Sequence, residues 1–207
     1  WPFKQHKTSR NIKTLPHHDN LKSFGACFGV SGGYERPMWF ALDGEKNEYQ
    51  YSYNFQNWYP SVEYETNNTV KNVGIFDLTP FSKFELKSEK AHQELQKICT
   101  SNVKNEVGSC TYTHMLNKDG GIETDLTIVC LDKDYFRIIS SAATRVRDKF
   151  HIKKYLSEDI ELKDVTDDYC VFGLFGPKSR LLMEKLTNED LSNQKFKFST
   201  SQYLKIE

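Results

Sequence analysis

Apolar and polar residues along this 207-residue chain follow two periods, and each period predicts one kind of secondary structure. One apolar stripe has the spacing of a helix face, and Ser88 before it is a suitable N-cap. The stripe consists of Ala91, Leu95, Ile98 and Cys99. Three more helices are expected at 58–72, from Thr144 to about residue 156, and from Gly176-Pro177 onward.

Alternation with a period of two predicts the strands. Three of them form a meander around two short turns: Cys110–Leu116, Ile122–Leu131 and Tyr135–Ser140. Other strands are expected at Phe81–Leu86, as a pair at Ile160–Val165 and Tyr169–Phe175, and once more after the polar stretch 187–194. Strands and helices mix without strict βαβ alternation, so the predicted class is α+β, with a mainly antiparallel sheet and flanking helices.

The first 42 residues show no apolar period, and glycines cluster there from Gly25 to Gly33. A long ordered connector that packs aromatic side chains against a neighbour is the preferred interpretation. A glycine cluster can also cradle a phosphate. That alternative is weak here, because no strand-turn-helix context surrounds the glycines.

Composition narrows the function classes. The formal net charge is zero and the sequence pI is about 7.1, which argues against a nucleic-acid groove and against a basic membrane surface. No apolar run of about 18 residues is present, and the chain does not open with a signal-peptide pattern. The five cysteines are dispersed without a Cys-x-x-Cys pair, so we expect free thiols, no metal site and a cytoplasmic location.

An aspartate stands inside the second strand of the meander, although aspartate is depleted in strands. Alternation puts Asp125 on one face of its strand together with Val129, and it puts Tyr112 and His114 on one face of the preceding strand. If the hairpin register brings Tyr112 beside Asp125, an aromatic ring and a carboxylate border one pocket. Such a pocket would suit a flat ligand with a nitrogen that gains positive charge.

Several blocks of sequence resemble a known family. They are Val73–Phe81, Tyr112–Leu126, Phe136–Arg145 and Gly173–Pro177. In this order they resemble the folate-binding domain of the glycine cleavage T-protein, and more closely the folate half of dimethylglycine and sarcosine dehydrogenases. The Glu-Arg-Pro-x-Trp-Phe segment at Glu35–Phe40 is similar to the connector that precedes that half in these dehydrogenases.

The resemblance implies a domain plan. Residues 1–57 would be a connector that follows an FAD domain outside this sequence, 58–190 the first folate-binding subdomain, and 191–207 the truncated start of the next. The chain opens at a tryptophan and stops in a strand-like segment, so we expect a fragment that is inactive alone. The family folds its folate domain as a three-part ring around tetrahydrofolate.

The resemblance also implies site residues. The key carboxylate of the family matches Asp125, and its folate-contacting aromatic residue matches Tyr112. Its apolar pocket positions match Phe81, Val129 and Ile139. T-proteins usually carry two acids before the leucine, whereas this chain has Thr124 at the first position. They also have methionine at the position of Phe81 and an aromatic residue at that of Val129.

The implied chemistry gives Asp125 a reason to be present. The family moves a one-carbon unit from a methylated amine to folate through an iminium or formaldehyde stage. A carboxylate near the folate nitrogens can stabilise the developing cation and take a proton. We expect a partly buried aspartate for this role, because burial tends to raise a carboxyl pKa.

Simpler interpretations compete at each position. Asp125 could cap local backbone, and Tyr112 could be an ordinary half-buried strand aromatic. His114 is expected to be structural, and Asp77 to accept backbone hydrogen bonds at a turn. Arg145 and Arg147 could meet the folate glutamate tail, although a solvated helix start with Asp148 as partner is preferred. For the whole protein, the alternatives are a stand-alone aminomethyltransferase or folate-dependent demethylase, and a non-catalytic folate-binding or scaffold protein.

Overall fold

The computed structural model describes residues 4–206, and Trp1–Phe3 and Glu207, at the two ends of the domain plan, lie outside the described residues. The chain forms two compact units. The first unit contains the residues up to Pro80 together with Cys170–Leu182, and the second contains Phe81–Tyr169 and the residues from Met183 onward.

The first unit holds two helices before Pro80 and two small antiparallel sheets. Its elements are α1 (His18–Ser23), β1 (Ala26–Ser31), β2 (Tyr34–Phe40), α2 (Tyr59–Lys71), β3 (Gly74–Asp77) and β9 (Phe172–Phe175), followed by α5 (Ser179–Met183), which ends at the boundary with the second unit. The helix expected at 58–72 is confirmed as α2, with Pro60 in its first turn.

Strands β1 and β2 form a hairpin, so the expectation of an irregular segment up to residue 42 is wrong for this part. Gly32 and Gly33 both adopt positive φ, 60° and 83°, which is the backbone of a tight two-residue hairpin turn. A bulge between Cys27 and Phe28 breaks the alternation of β1, and Pro37 interrupts that of β2. The Gly-Gly pair was the available hairpin signal.

Strand β9 pairs with β3, antiparallel, with Gly74 opposite Phe175. The expected pairing of this segment with 160–165 is wrong, because 162–164 pairs with 84–86. The expectation for Asp77 is confirmed, because its Oδ1 accepts the Thr79 N–H at 3.0 Å in the turn after β3. The last helix begins at Ser179, two residues after the predicted Gly-Pro start.

The second unit is built on a five-stranded antiparallel sheet in the order β5-β6-β7-β4-β8. Its elements are β4 (Ser82–Lys87), α3 (Ala91–Ile98), β5 (Cys110–Leu116), β6 (Ile122–Asp132), β7 (Tyr135–Ser140), α4 (Arg145–Tyr155) and β8 (Leu162–Asp164). The predicted meander is confirmed as β5–β7, and the predicted α+β class with a mainly antiparallel sheet is confirmed.

One face of this sheet is covered by α3 and α4 and holds the core. Side chains with almost no exposure meet there: Phe84, Leu86, Leu95, Met115, Ile128, Phe136, Ile138 and Ile152. These residues occupy alternate strand positions and one face of each helix, which is the pattern that the sequence showed. The remaining, alternate side chains of the strands therefore lie on the opposite face of the sheet.

The outer edge of β5 is taken up by two other segments. The Thr100 N–H donates to the His114 carbonyl, and the Cys110 N–H donates to the Ser199 carbonyl at 2.9 Å. Thr200 forms an isolated bridge with Ser109, but 191–206 contains no strand among the described residues. The strand expected after residue 194 is therefore wrong, because only this short stretch pairs with the sheet.

A buried ion pair anchors the start of the first unit. Glu35 on β2 is 2% exposed and binds Arg10 at two points, 2.6 and 2.7 Å, while the Asn11 N–H donates to Glu35 at 2.8 Å. The hydrogen bond from Arg10 holds the pKa of Glu35 below its ordinary value. The segment before α1 is thus tied to the hairpin by one carboxylate.

We expect Arg10→Ala to lower the free energy of unfolding of the first unit by about 3–5 kcal/mol, because it leaves a buried carboxylate without its cation. All three tryptophans lie within the first 58 residues, so urea unfolding followed by tryptophan fluorescence reports on this unit. Lys46→Ala is the control within the same unit. Its pair with Glu48 is exposed on both sides, and its loss should leave the free energy of unfolding nearly unchanged. Equal effects of the two substitutions would contradict the prediction.

Candidate functional site

The candidate residues gather on the face of the second unit's sheet that points away from the core. We call it the outer face. It carries the side chains of Lys83, Glu85, Tyr112, His114, Asp125, Thr127, Val129, Arg137 and Ile139. Four of the five predicted site residues, Asp125, Tyr112, Val129 and Ile139, are among them, as the alternation predicted.

The backbone pairing of β5 determines how close these side chains come. The backbone groups of Cys110, Tyr112 and His114 point to the segments at the outer edge, and not to β6. Residues opposite one another at such positions form non-hydrogen-bonded pairs, whose Cα atoms lie about 4.5 Å apart with their side chains close together. Tyr112 faces Thr127 in this way, and His114 faces Asp125.

Tyr112 and Asp125 are therefore diagonal neighbours, one pair apart along the ribbon. The Tyr112 hydroxyl donates to Asp125 Oδ2 at 3.2 Å, and this hydrogen bond raises the pKa of Tyr112. Tyr112 is 60% exposed and Asp125 is exposed as well. The structure brings the two residues together as expected, but the expectation that Asp125 is partly buried is wrong.

A cavity of about 470 Å³ lies at the other end of the outer face. Val129 and Ile139 line it together with Arg137, which lies opposite Val129 in the register of β6 and β7. Its remaining lining comes from 107–108, from 130–131 and from 201–203. A volume of this size is within the range of sites for small organic ligands. From Val129 to Asp125 along β6 the distance is four residues, or roughly 13 Å.

Arg137 was not among the predicted site residues, although alternation with Ile139 puts it on the same face. Its guanidinium lies 4.0 Å from the centre of the Tyr169 ring and pairs with Glu85 at 2.5 Å. Burial works against the charge of Glu85, but hydrogen bonds from Tyr135 and Arg137 keep the pKa of this carboxyl below its ordinary value. The Arg137 side chain is thus held in place where it lines the cavity, and Glu85 compensates its charge.

Phe81, the fifth predicted residue, precedes β4 and is 38% exposed. Lys83 is 1% exposed, and its ammonium donates to the Phe81 carbonyl at 2.8 Å, which fixes the backbone there. Phe81 lies two positions before Lys83, so its position has the parity of the outer face. A role in ligand binding for these five residues stays a prediction.

The threonine at 124, where T-proteins usually carry an acid, has a structural reason. Thr124 lies on the core face and is 5% exposed, and its hydroxyl donates to Asp148 Oδ2 at 3.2 Å. Asp148 on α4 is 1% exposed and also receives a hydrogen bond from Thr144 at 2.6 Å. A second acid at position 124 would put two carboxylates together in the core.

The two arginines near the start of α4 are engaged within the unit. Arg145 pairs with Asp164 at 3.0 Å and with Asp167 at 3.1 Å, so the expected pairing with Asp148 is wrong for Arg145. Arg147 does contact Asp148, at 3.4 Å. The preference for a structural role over a contact with the folate tail is supported by these ion pairs.

Two further properties of residues 4–206 concern other kinds of site. No group of three or more histidine, cysteine, aspartate or glutamate side chains in this part of the chain has the arrangement needed to hold a metal ion. Within the same residues no helix has both the length and the apolar character required to cross a bilayer.

Comparison with known proteins identifies the family. The model of the GCVT N-terminal domain matches residues 17–207, which is most of the chain. The chain belongs to the GCVT N-terminal domain family. The family resemblance found in the sequence blocks is therefore confirmed. The match also includes most of residues 1–57, which were expected to form a connector.

Curated relatives of this GCVT N-terminal domain include oxidoreductases. The 4-methylaminobutanoate oxidase (formaldehyde-forming) of Paenarthrobacter nicotinovorans is 33% identical over 207 residues, which is 100% of this chain and 25% of the relative. The mitochondrial dimethylglycine dehydrogenase of Rattus norvegicus is 34% identical over 181 residues, 86% of this chain and 21% of the relative. The chain thus spans a quarter or less of the length of these proteins.

Another relative is named as a regulatory protein. It is the mitochondrial pyruvate dehydrogenase phosphatase regulatory subunit of Mus musculus, 31% identical over 208 residues, 95% of this chain and 23% of the relative.

Among solved structures, the glycine cleavage system aminomethyltransferase T from Bartonella henselae superposes with a TM-score of 0.70 at 20% identity, covering 84% of this chain and 43% of that one. The GCVT N-terminal domain therefore has the T-protein fold that the sequence predicted.

We expect Thr124→Asp to lower the free energy of unfolding by about 1–3 kcal/mol at pH 7, because the new carboxylate meets the buried one of Asp148. One of the two carboxyl groups should then keep its proton in the folded state above its ordinary range. The folded state binds more protons than the unfolded state there, so the stability of the variant should fall as pH rises from 5 to 7. Thr124→Val, which loses only the hydrogen bond, is the control and should show no such trend in urea unfolding.

We also expect Asp125→Asn to lower the pKa of Tyr112, because the negative charge that favours the protonated phenol is removed. Titration of ¹³C-labelled tyrosine followed by NMR measures this pKa, with Tyr112→Phe to assign the signal. Asp119→Asn at the exposed hairpin tip is the matched control. A Tyr112 pKa that is the same in Asp125→Asn and in wild type would show that the hydrogen bond does not form in solution.

Proposed function

We propose that this chain is part of a longer FAD-dependent N-methyl-amine dehydrogenase, in which it supplies the start of a domain that passes a one-carbon unit to tetrahydrofolate. The observation that carries the proposal is the 33% identity, over all 207 residues, to an oxidase named as formaldehyde-forming. Formaldehyde is a one-carbon unit at the oxidation level that a folate acceptor can take.

The outer face offers the groups that such a transfer needs. Tetrahydrofolate, when bound, supplies two nucleophilic nitrogens. The Asp125 carboxylate stabilises positive charge that develops next to it and takes a proton from the reacting nitrogen. The Tyr112 hydroxyl, 3.2 Å from Oδ2, holds that carboxylate in one orientation.

The remaining predicted site residues form apolar walls for the bound ligand. Val129 and Ile139 line a cavity of about 470 Å³ with apolar surface, which suits a flat ring, and Phe81 extends the apolar surface with a partly exposed ring. The flavin is assigned to sequence outside this chain, and so is the site that oxidises the methylated amine.

The domain plan and the location belong to the same proposal. Residues 1–57 would connect the flavin domain to the folate-binding part at 58–190, and 191–207 would open the next subdomain. The five cysteines are all free, which agrees with a reducing, cytoplasm-like compartment.

Asp125→Asn in the full-length protein tests the proposal. We expect oxidation of the methylated amine to continue within about twofold of wild type. One-carbon transfer to tetrahydrofolate should fall by about 10²-fold or more, because the group that takes the proton is lost. Reduction of a dye measures amine oxidation, and formation of methylenetetrahydrofolate measures one-carbon transfer. Asp119→Asn, the same chemical change at the hairpin tip, is the control, and equal transfer by both variants would refute the role of Asp125.

Two other functions make different predictions in the same assay. A stand-alone aminomethyltransferase, which the T-protein fold supports, would transfer a one-carbon unit without oxidising an amine. A regulatory protein, supported by the identity to a phosphatase regulatory subunit, would show neither activity in the wild type. A dinucleotide-binding fingerprint encoded upstream of this sequence would favour the dehydrogenase.

A further inference from the structure

His114 received no function from the sequence, yet the structure puts it in the closest pairing position to Asp125. The two residues face one another across β5 and β6. The Thr100 N–H donates to the His114 carbonyl, and the His114 N–H donates to the Thr100 hydroxyl. The backbone groups of His114 therefore do not bind β6, and His114 and Asp125 form a non-hydrogen-bonded pair. Side chains at such a position project from Cα atoms about 4.5 Å apart, on the same face of the sheet.

The ring of His114 also contacts Tyr112. The two ring centres are 5.5 Å apart at an interplanar angle of 71°, an edge-to-face arrangement. Since the Tyr112 hydroxyl donates to Asp125, Tyr112 touches both of the other side chains. His114 and Asp125 face one another across the ribbon, with no hydrogen bond or ion pair between their side chains within residues 4–206.

The imidazole of His114 is available for proton transfer. Within residues 4–206 the structure gives its ring the contact with Tyr112 and no hydrogen bond, and the side chain is half-buried. His92 shows the contrasting, structural case, because its Nε2 lies 2.8 Å from the Val103 carbonyl oxygen. Imidazole is the side chain that exchanges protons most readily near neutral pH.

We propose that His114 is the group that relays a proton between Asp125 and solvent during one-carbon transfer. The inference rests on the proposed function. In the overall reaction two C–N bonds form at the two folate nitrogens, and both C–O bonds of formaldehyde break. The oxygen leaves as water with the two protons that the nitrogens lose. Asp125 takes one of these protons at its carboxylate. His114 takes it from Asp125 through a bridging water and passes it to solvent, from which the departing oxygen regains a proton, so both residues return to their starting state.

A purely structural role makes a different prediction. If His114 only packs against Tyr112, a side chain of similar size should replace it without loss of rate. If it relays a proton, the rate of transfer should fall while folate binding stays nearly unchanged, because binding does not depend on the relay. His114 is a positioning and relay residue in this scheme, and Asp125 remains the group that meets the folate nitrogen.

The kinetic test uses His114→Gln in the full-length protein, with His6→Gln, at an exposed histidine of the first unit, as the matched control. We expect kcat for transfer to fall by about 10²-fold, at the lower end of general acid–base contributions, with KM for tetrahydrofolate within about threefold of wild type. His114→Gly should recover a measurable part of kcat when free imidazole is added. Unchanged kcat in His114→Gln, or a loss that appears only in KM, would overturn the relay.

A second measurement does not depend on activity. Diethyl pyrocarbonate modifies accessible histidines, and mass spectrometry reads the rate at each one. Tetrahydrofolate should slow the modification of His114 at least severalfold and leave that of His6 unchanged. Equal rates at His114 with and without tetrahydrofolate would overturn the inference. A wild-type protein that neither binds tetrahydrofolate nor transfers would refute the proposed function and the relay together, whereas normal transfer in His114→Gln would refute the relay alone.

Discussion

The register of β6 within its sheet is the constraint on which the candidate site depends. Leu126, Ile128 and Cys130 are almost completely buried, and Asp125 and Thr127 alternate with them toward the outer face. A slip of one residue would expose the apolar set, at about 1.5–3 kcal/mol for each large side chain, and would push the carboxylate into the core. Core packing therefore holds Asp125 on the outer face, whatever the function of that face.

Buried carboxylates in both units are compensated by polar or charged neighbours. Arg10 satisfies Glu35 in the first unit, and Arg147 together with two threonine hydroxyls satisfies Asp148 in the second. Arg137 and Glu85 do the same beside the cavity. The carboxylate of Asp125 differs from these, because it is exposed and its one side-chain partner within residues 4–206 is a neutral hydroxyl. Charge that is already neutralised serves the structure, whereas the Asp125 carboxylate is left open to solvent.

The sequence predicted the meander and its faces well, because period-two alternation there is regular and each turn is short. It predicted Asp125, Tyr112, Val129 and Ile139 on one face for the same reason. It could not give the register of β5 against β6, because a bulge between Met115 and Leu116 shifts the two strands beside their turn, and so it missed the pairing of His114 with Asp125. The hairpin of β1 and β2 was missed because a bulge and a proline disturb its alternation, and the partners of β8 and β9 because pairing between distant segments leaves no local pattern.

The covered edge of β5 has a consequence for how this protein behaves in solution. A strand at the side of a sheet usually presents free amide and carbonyl groups, which serve as a template for intermolecular association and aggregation. Here Thr100 and Ser199 already occupy such groups beside the hairpin of β5 and β6. The ribbon can therefore expose its polar side chains to a small molecule without also recruiting foreign strands alongside it.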